Sequence, residues 1–175
     1  MPTFVAFLRA INVGGRTVRM EMLKRTFESL GFSNVQTFIA SGNVVFDTAT
    51  TDAVKLTRTI ERKLHDTLGY ESAVFLRSAG ELRALARYQP FPDDDDPSAR
   101  THVALLAAPP GKAVERKLAA LRNDSHDFRV RGREVYWRRR SGVPFDDVPL
   151  EKVLGVPCTI RGVPTVVKMA DKFCK

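Results

Sequence analysis

Three groups of residues in this 175-residue chain combine charge, glycine and small polar side chains at spacings that can hold an anion. The first is Arg9, Asn12, Gly14, Gly15 and Arg16, where an apolar run gives way to a glycine pair. Glycines let backbone N–H groups come close to a ligand, a following helix N-terminus favours negative charge, and arginine supplies bidentate donors. The loop can therefore cradle a phosphate or a carboxylate. Its spacing matches neither GxGxxG nor GxxxxGK followed by Ser or Thr, so it carries no nucleotide fingerprint, and the glycine pair can equally do no more than turn the chain. Arg9 stands out as a charge inside an apolar stretch, where it needs a partner or a wet cleft. The second group is Ser41 and Asn43 around Gly42, polar groups at a tight turn. That turn either only closes a hairpin or shares a site with the first loop, and the sequence leaves both open. The third is Arg161, Thr165 and Lys168 at the start of the last helix. Thr165 and Lys168, three apart, share a helical face, and the helix N-terminus adds its own attraction for an anion.

A fourth group concentrates cations. The segment DFRVRGREVYWRRR sets Arg129, Arg131, Arg138, Arg139 and Arg140 around Trp137, a combination that can track a nucleic-acid backbone and stack a base. The competing use of the same residues is protection of a strand edge by arginine, with Trp137 in the core. Catalytic signatures are thin. His65, His102 and His126 stand apart, with no HExxH, no paired metal spacing and no nucleophile elbow. The carboxylates Asp93 to Asp96 are consecutive, cannot all converge on a cation, and read as a solvated linker. Cys158 and Cys174 form no CxxC, which removes a zinc ribbon and a thioredoxin motif and suits a reducing compartment. These residues call for no metal or cofactor and support no enzyme class.

The elements that must position these residues follow from periodicity. Residues 3–13 form an apolar strand, and Met20, Leu23, Phe27 and Leu30 then recur on one helical face with Gly31 as the stop. Residues 35–40 and 43–48 are β-rich and joined by Ser41-Gly42, a two-residue hairpin signal. A helix starts at Asp52, carries Leu56, Ile60 and Leu64 inward, and ends at Gly69 before a strand over 71–78. The order βαββαβ is the split arrangement of the ferredoxin-like fold, with helices on one face of the sheet. Both faces of the first strand are apolar, so the second face also needs cover. After a helix over 80–88, the segment QPFPDDDDPSAR cannot sustain a regular element and marks a linker at 90–100. Beyond it the order recurs: a strand at 101–108, a helix around Leu118, a hairpin of 127–131 with 134–139, a helix from Asp146 to Gly155, an extended piece at 156–161 and a last helix from Pro164. The expectation is an α+β protein of two tandem ferredoxin-like halves with antiparallel sheets, 1–89 and 101–175, with an extra C-terminal helix.

Lys plus Arg number 28 against 20 Asp plus Glu, a net charge of +8. The excess is divided equally between the two halves, so no basic tail accounts for it. No apolar run approaches the ~18 residues of a membrane span, and the start lacks a signal peptide's pattern, so the expected place is the cytoplasm, with no membrane partner. The charge favours a polyanionic partner, nucleic acid first. The first half carries only Phe46 where an RNA-recognition sheet needs several aromatics, which disfavours that module. The functional expectation is a protein that binds an anionic ligand, with nucleic acid preferred. The alternative is an enzyme or sensor for a small phosphorylated or carboxylated molecule bound between the two halves. Oligomeric state stays open.

The stretch FVAFLRAINVGGRTVRMEMLKRTFESLGFSNVQTFIASGNVVF and the later TIRGVPTVVKM resemble the uncharacterised family called domain of unknown function 1697. The resemblance rests on LRxINVGG, SGNVVF and TxRxxxTVxK and extends over essentially the whole chain. Ala10 stands where a glycine is usual, and Gly162 where an asparagine commonly follows the late arginine. The resemblance implies a tandem ferredoxin-like fold, in agreement with the reading above, and implies no activity.

Overall fold

The structure is a computed structural model, and it describes residues 1–9, 11, 15, 17–39 and 42–174. The first run of elements is β1 (Thr3–Leu8), α1 (Met20–Glu28), β2 (Ser33–Thr37), β3 (Asn43–Asp47), α2 (Ala53–Leu68), β4 (Val74–Ser78) and α3 (Ala79–Arg87). The second is β5 (Arg100–Leu105), α4 (Lys112–Ala120), β6 (His126–Arg131), β7 (Glu134–Arg139), a 3-10 turn (Phe145–Asp147), α5 (Leu150–Leu154), β8 (Thr159–Gly162) and α6 (Val163–Phe173). Two four-stranded sheets result, ordered β2-β3-β1-β4 and β6-β7-β5-β8, and every neighbouring pair is antiparallel. The two orders are the same topology written twice, the ferredoxin-like layout read from the sequence.

Alternation along the strands builds each core. In the first sheet Phe4, Ala6 and Leu8 of β1 face the same way as Val44, Phe46, Val74 and Leu76, and meet Leu23 and Phe27 of α1 and Leu56, Ile60 and Leu64 of α2. Phe32 stacks on Phe46 with ring centroids 4.4 Å apart. The other face of β1, Val5 and Phe7, is equally buried, as two apolar faces require. In the second sheet Ala104, Phe128, Val135 and Trp137 meet Leu118, Leu150 and Leu154. Helix ends fall where the side chains set them. Asp52 accepts the Lys55 N–H at 3.0 Å, and Gly69 takes the left-handed conformation at φ 79°.

Several local details depart from the sequence reading. β1 ends at Leu8, so Arg9 lies just past the strand rather than inside it. Its N–H donates to the Ala73 carbonyl at 3.0 Å, and its own carbonyl accepts from Ser72 Oγ at 2.8 Å. β2 ends at Thr37, short of the Ala40 expected, and in the 38–42 connection the described Phe38 is tied back by Asn43 Nδ2, which donates to its carbonyl at 2.8 Å. Gly42, at φ +85°, is required there, because a Cβ would come within 3.1 Å of the Cβ atoms of both Leu8 and Ile11. The helix expected over 146–154 is split. Pro149 lacks an N–H and holds the preceding Val148 extended at φ −115°, ψ 116°, which leaves the short turn and the five-residue α5 where the first sheet has the 16-residue α2.

Residues 1–86 together with 167–175 form one compact unit, and 87–166 form the other. The last residues, expected with the second half, thus group with the first, where Phe173 meets the Phe38 ring edge-on at 6.0 Å. Among the described residues no helix is long and apolar enough to cross a membrane, and no cluster of three or more His, Cys, Asp or Glu could hold a metal ion.

Candidate anion site

Register brings together residues that are far apart in the chain. Across the second sheet Arg100 of β5 lies opposite Arg139 of β7, which lies opposite His126 of β6. One rung inward on the same face, Gly162 of β8, His102, Trp137 and Phe128 stand in line. The next same-face rung is Ile160, Ala104, Val135 and Val130. Side chains opposite one another in an antiparallel pair share a face, so this face grades from cationic at its outer end to apolar inside. A cavity of about 510 Å³ opens at the outer end, lined by Arg100, Thr101, His102, Gly162, Pro164 and Thr165 among others. The beginning of α6 therefore borders it, and its leading N–H groups favour an anion.

The polar groups here are unevenly satisfied. His102 Nδ1 and Arg139 Nε are buried and make no hydrogen bond among the described residues. Burial, and then the Arg139 guanidinium, hold the His102 imidazole below its ordinary pKa of 6.5, so at neutral pH it is uncharged. Neither Arg100 nor Arg139 has a carboxylate partner among the described residues; Arg100 only reaches the Ser98 carbonyl, at 3.3 Å. Phe145 covers the group, edge-on to His102 at 5.2 Å between centroids and 5.2 Å from the Arg139 guanidinium carbon. Behind it, Trp137 Nε1–H donates to His126 Nδ1 at 3.1 Å, which makes Nε2 the protonated nitrogen of a neutral His126 and lets it donate to Asp147 Oδ2 at 2.7 Å. Indole, imidazole and carboxylate thus tie the 3-10 turn that carries Phe145 to the sheet.

The other predicted residues are placed as follows. Asn12, Gly14, Arg16 and Ser41 lie outside the described residues. Gly15 is an exposed turn residue at φ +80°. The β1 end and the 38–42 connection do lie at one end of the first sheet, since Phe7 pairs with Asn43 and the Leu8 N–H donates to the Gly42 carbonyl at 2.8 Å. Asn43 itself is fully buried, with its amide committed to the turn. Arg161 is buried on the face of β8 opposite Gly162, donates to Thr159 Oγ1 at 2.6 Å and the Ile160 carbonyl at 3.0 Å, and is pulled down to about 10 by burial while remaining a cation at neutral pH. It is therefore not brought together with Thr165, and Lys168 is an exposed side chain. Arg77 of β4 occupies the matching register in the first sheet, opposite Val5 as Arg161 is opposite Val103, and is also buried.

The hairpin cations are largely engaged by the chain itself. The segment expected as a solvated linker lies against them: Arg138 pairs with Asp94 at 3.0 Å and Arg140 with Asp96 at 3.0 Å. The Arg138–Asp94 pair is nearly buried, its side chains 12% and 15% exposed. Asp96 is held below the usual carboxylate range first by the Ser98 hydroxyl and N–H and then by Arg140. Arg129 pairs with Asp127 at 2.8 Å and lies 5.3 Å from the Phe91 ring, and Arg131 sits 4.3 Å over Tyr88. Trp137, for which the sequence allows either a base-stacking platform or a place in the core, is 1% exposed with its N–H taken, so its indole is a core ring. Arg100 and His102 went unselected from the sequence. Their signal was the two-residue alternation Arg100–His102 facing Trp137–Arg139, readable only once the strand register is known.

The fold has a counterpart in the structure of the conserved bacterial protein SP0830 from Streptococcus pneumoniae, which matches with a TM-score of 0.76 at 22% identity, over 100% of this chain and 99% of that one. No curated protein matches the chain. The model of one family does, over residues 1–136, a span that takes in the LRxINVGG-like and SGNVVF stretches and stops before the late TIRGVPTVVKM. The chain belongs to the family described as protein of unknown function, DUF1697.

Proposed function

We propose that this protein binds a small organic oxyanion, phosphorylated or carboxylated, at the outer end of its second sheet. Arg100, His102 and Thr165 line the cavity together with the start of α6, Arg139 adds charge beside it from its place opposite Arg100, and His102 Nδ1 and Arg139 Nε are buried polar atoms without a hydrogen bond among the described residues. The observation that carries this reading is the pair Arg100 and Arg139. They are directly opposite on adjacent strands, and neither has a carboxylate partner among the described residues. Like charges so placed repel, and an oxyanion between them turns that repulsion into two charge-assisted hydrogen bonds. A nucleic acid is the weaker reading, because Arg129, Arg138 and Arg140 already hold carboxylates and Arg131 lies over Tyr88.

The test is calorimetric titration with inorganic phosphate, pyrophosphate and acetate, on the native chain and on Arg139→Gln and Gly162→Leu. Gly162 is not left-handed, and a Cβ there meets only Pro164 Cδ at 3.8 Å and Thr165 Oγ1 at 3.9 Å, so leucine fits the backbone while filling the cavity. Saturable binding, weakened about tenfold or more by Arg139→Gln and abolished by Gly162→Leu, is the expected result. Absence of binding, or binding that neither variant changes, overturns the proposal.

A further inference from the structure

The same face of the second sheet carries a second, larger cavity. It holds about 710 Å³ and is lined by Trp137, Phe145, Val148, Leu150, Val156 and Ile160 among others, with the charged side chains Asp146, Glu151 and Lys152 also on its wall. Its origin is the short crossover: a three-residue turn and the five-residue α5 cover less of the sheet than a full helix would, and leave Phe145 and Val156 44% and 45% exposed. Volume and lining fit the apolar part of a small molecule. The strand register places this cavity beside the anion site. Ile160 lines the apolar cavity, and Gly162, the next residue of β8 on that face, lines the polar one. A single ring, Phe145, walls the apolar cavity while touching both His102 and Arg139.

We infer that the two cavities take one ligand, an amphipathic oxyanion whose head lies at Arg100, Arg139 and His102 and whose aryl or acyl body lies in the apolar cleft against Phe145, Val156 and Ile160. This rests on the proposed anion site and adds the class of molecule that site selects. The indole at the cleft is the chain's one tryptophan, so its fluorescence reports occupancy without a label.

The experiment follows Trp137 emission during titration with acetate, hexanoate, octanoate and octanol, and runs the native chain beside Arg139→Gln and Val156→Asp, with phosphate as a separate arm. The inference expects affinity to rise roughly fourfold per added methylene from hexanoate to octanoate. It also expects octanoate to bind at least tenfold more tightly than octanol, with Arg139→Gln removing the preference and Val156→Asp removing the gain with chain length. If phosphate or acetate binds but lengthening the chain adds nothing, the amphipathic ligand is overturned while the anion site stands. If octanol matches octanoate and Arg139→Gln is silent, the cleft is an independent apolar site, and the inference is again overturned. If no member of the series binds, the inference fails, and the phosphate arm alone decides the fate of the anion site.

Discussion

His102 is the residue whose behaviour most sharply separates a packing role from a binding one. Folded, its pKa lies below the ordinary 6.5, because burial and Arg139 disfavour the imidazolium. Between those two values the unfolded chain binds more protons than the folded one, so stability falls as pH drops through 6.5 toward the folded value and is complete above it. Denaturant midpoints measured from pH 7.5 down to 5 should show that decline, and His102→Gln should flatten it; an unchanged slope in the variant assigns the decline to other groups. An oxyanion at the site acts with opposite sign, because its charge favours imidazolium, so its affinity should rise as pH falls over the same range. Trp137 makes a different contribution. Trp137→Phe keeps a ring in the core but removes the donor to the buried His126 Nδ1, and the unpaired nitrogen should cost about 1–3 kcal/mol in a denaturant titration. A loss near zero would mean that the indole–imidazole–carboxylate chain does not hold the 3-10 turn in place.

At the scale of elements, the close approach between the end of β1 and the 38–42 connection depends on one glycine. Gly42→Ala forces a Cβ against Leu8 and Ile11 in a left-handed backbone, and should destabilise the chain by about 2 kcal/mol or more in chemical denaturation. A neutral result would mean that the connection yields easily. Element identity was legible in the sequence because it follows from short-range chemistry: Asp52 and Gly69 bound α2, and the alternation of Phe4, Ala6 and Leu8 sets the inner face of β1. What short-range chemistry left unread was extent. The apolar run to Val13 gave no reason to stop β1 at Leu8, whereas the Arg9 N–H and carbonyl bonds to Ala73 and Ser72 show that the next residue already serves the approach to β4. The candidate site was illegible for a related reason. Arg100, His102, Arg139 and Gly162 come from three strands, and only the pairing register, a long-range property, sets them in adjacent rungs.

For the whole molecule, a net charge of +8 pointed to nucleic acid, and the ion pairs redirect that inference. Charge counts cannot show that Asp94 and Asp96 lie on Arg138 and Arg140, because the acidic run and the hairpin are separate in sequence. We expect weak, strongly salt-dependent binding of labelled single-stranded RNA by the native chain, and tighter binding once Asp94→Asn and Asp96→Asn release the two arginines, each added phosphate contact steepening the salt slope by about 0.7. Equal binding by both proteins would mean that the acidic segment does not mask the hairpin. The central claim, an oxyanion at the outer end of the second sheet, is tested most directly by following the three histidine side chains by NMR through a pH titration, with and without pyrophosphate. Pyrophosphate should raise the His102 pKa and leave His65 unmoved, and Arg139→Gln should abolish the response. A His102 titration indifferent to the anion, or equal shifts at His65 and His102, would contradict it.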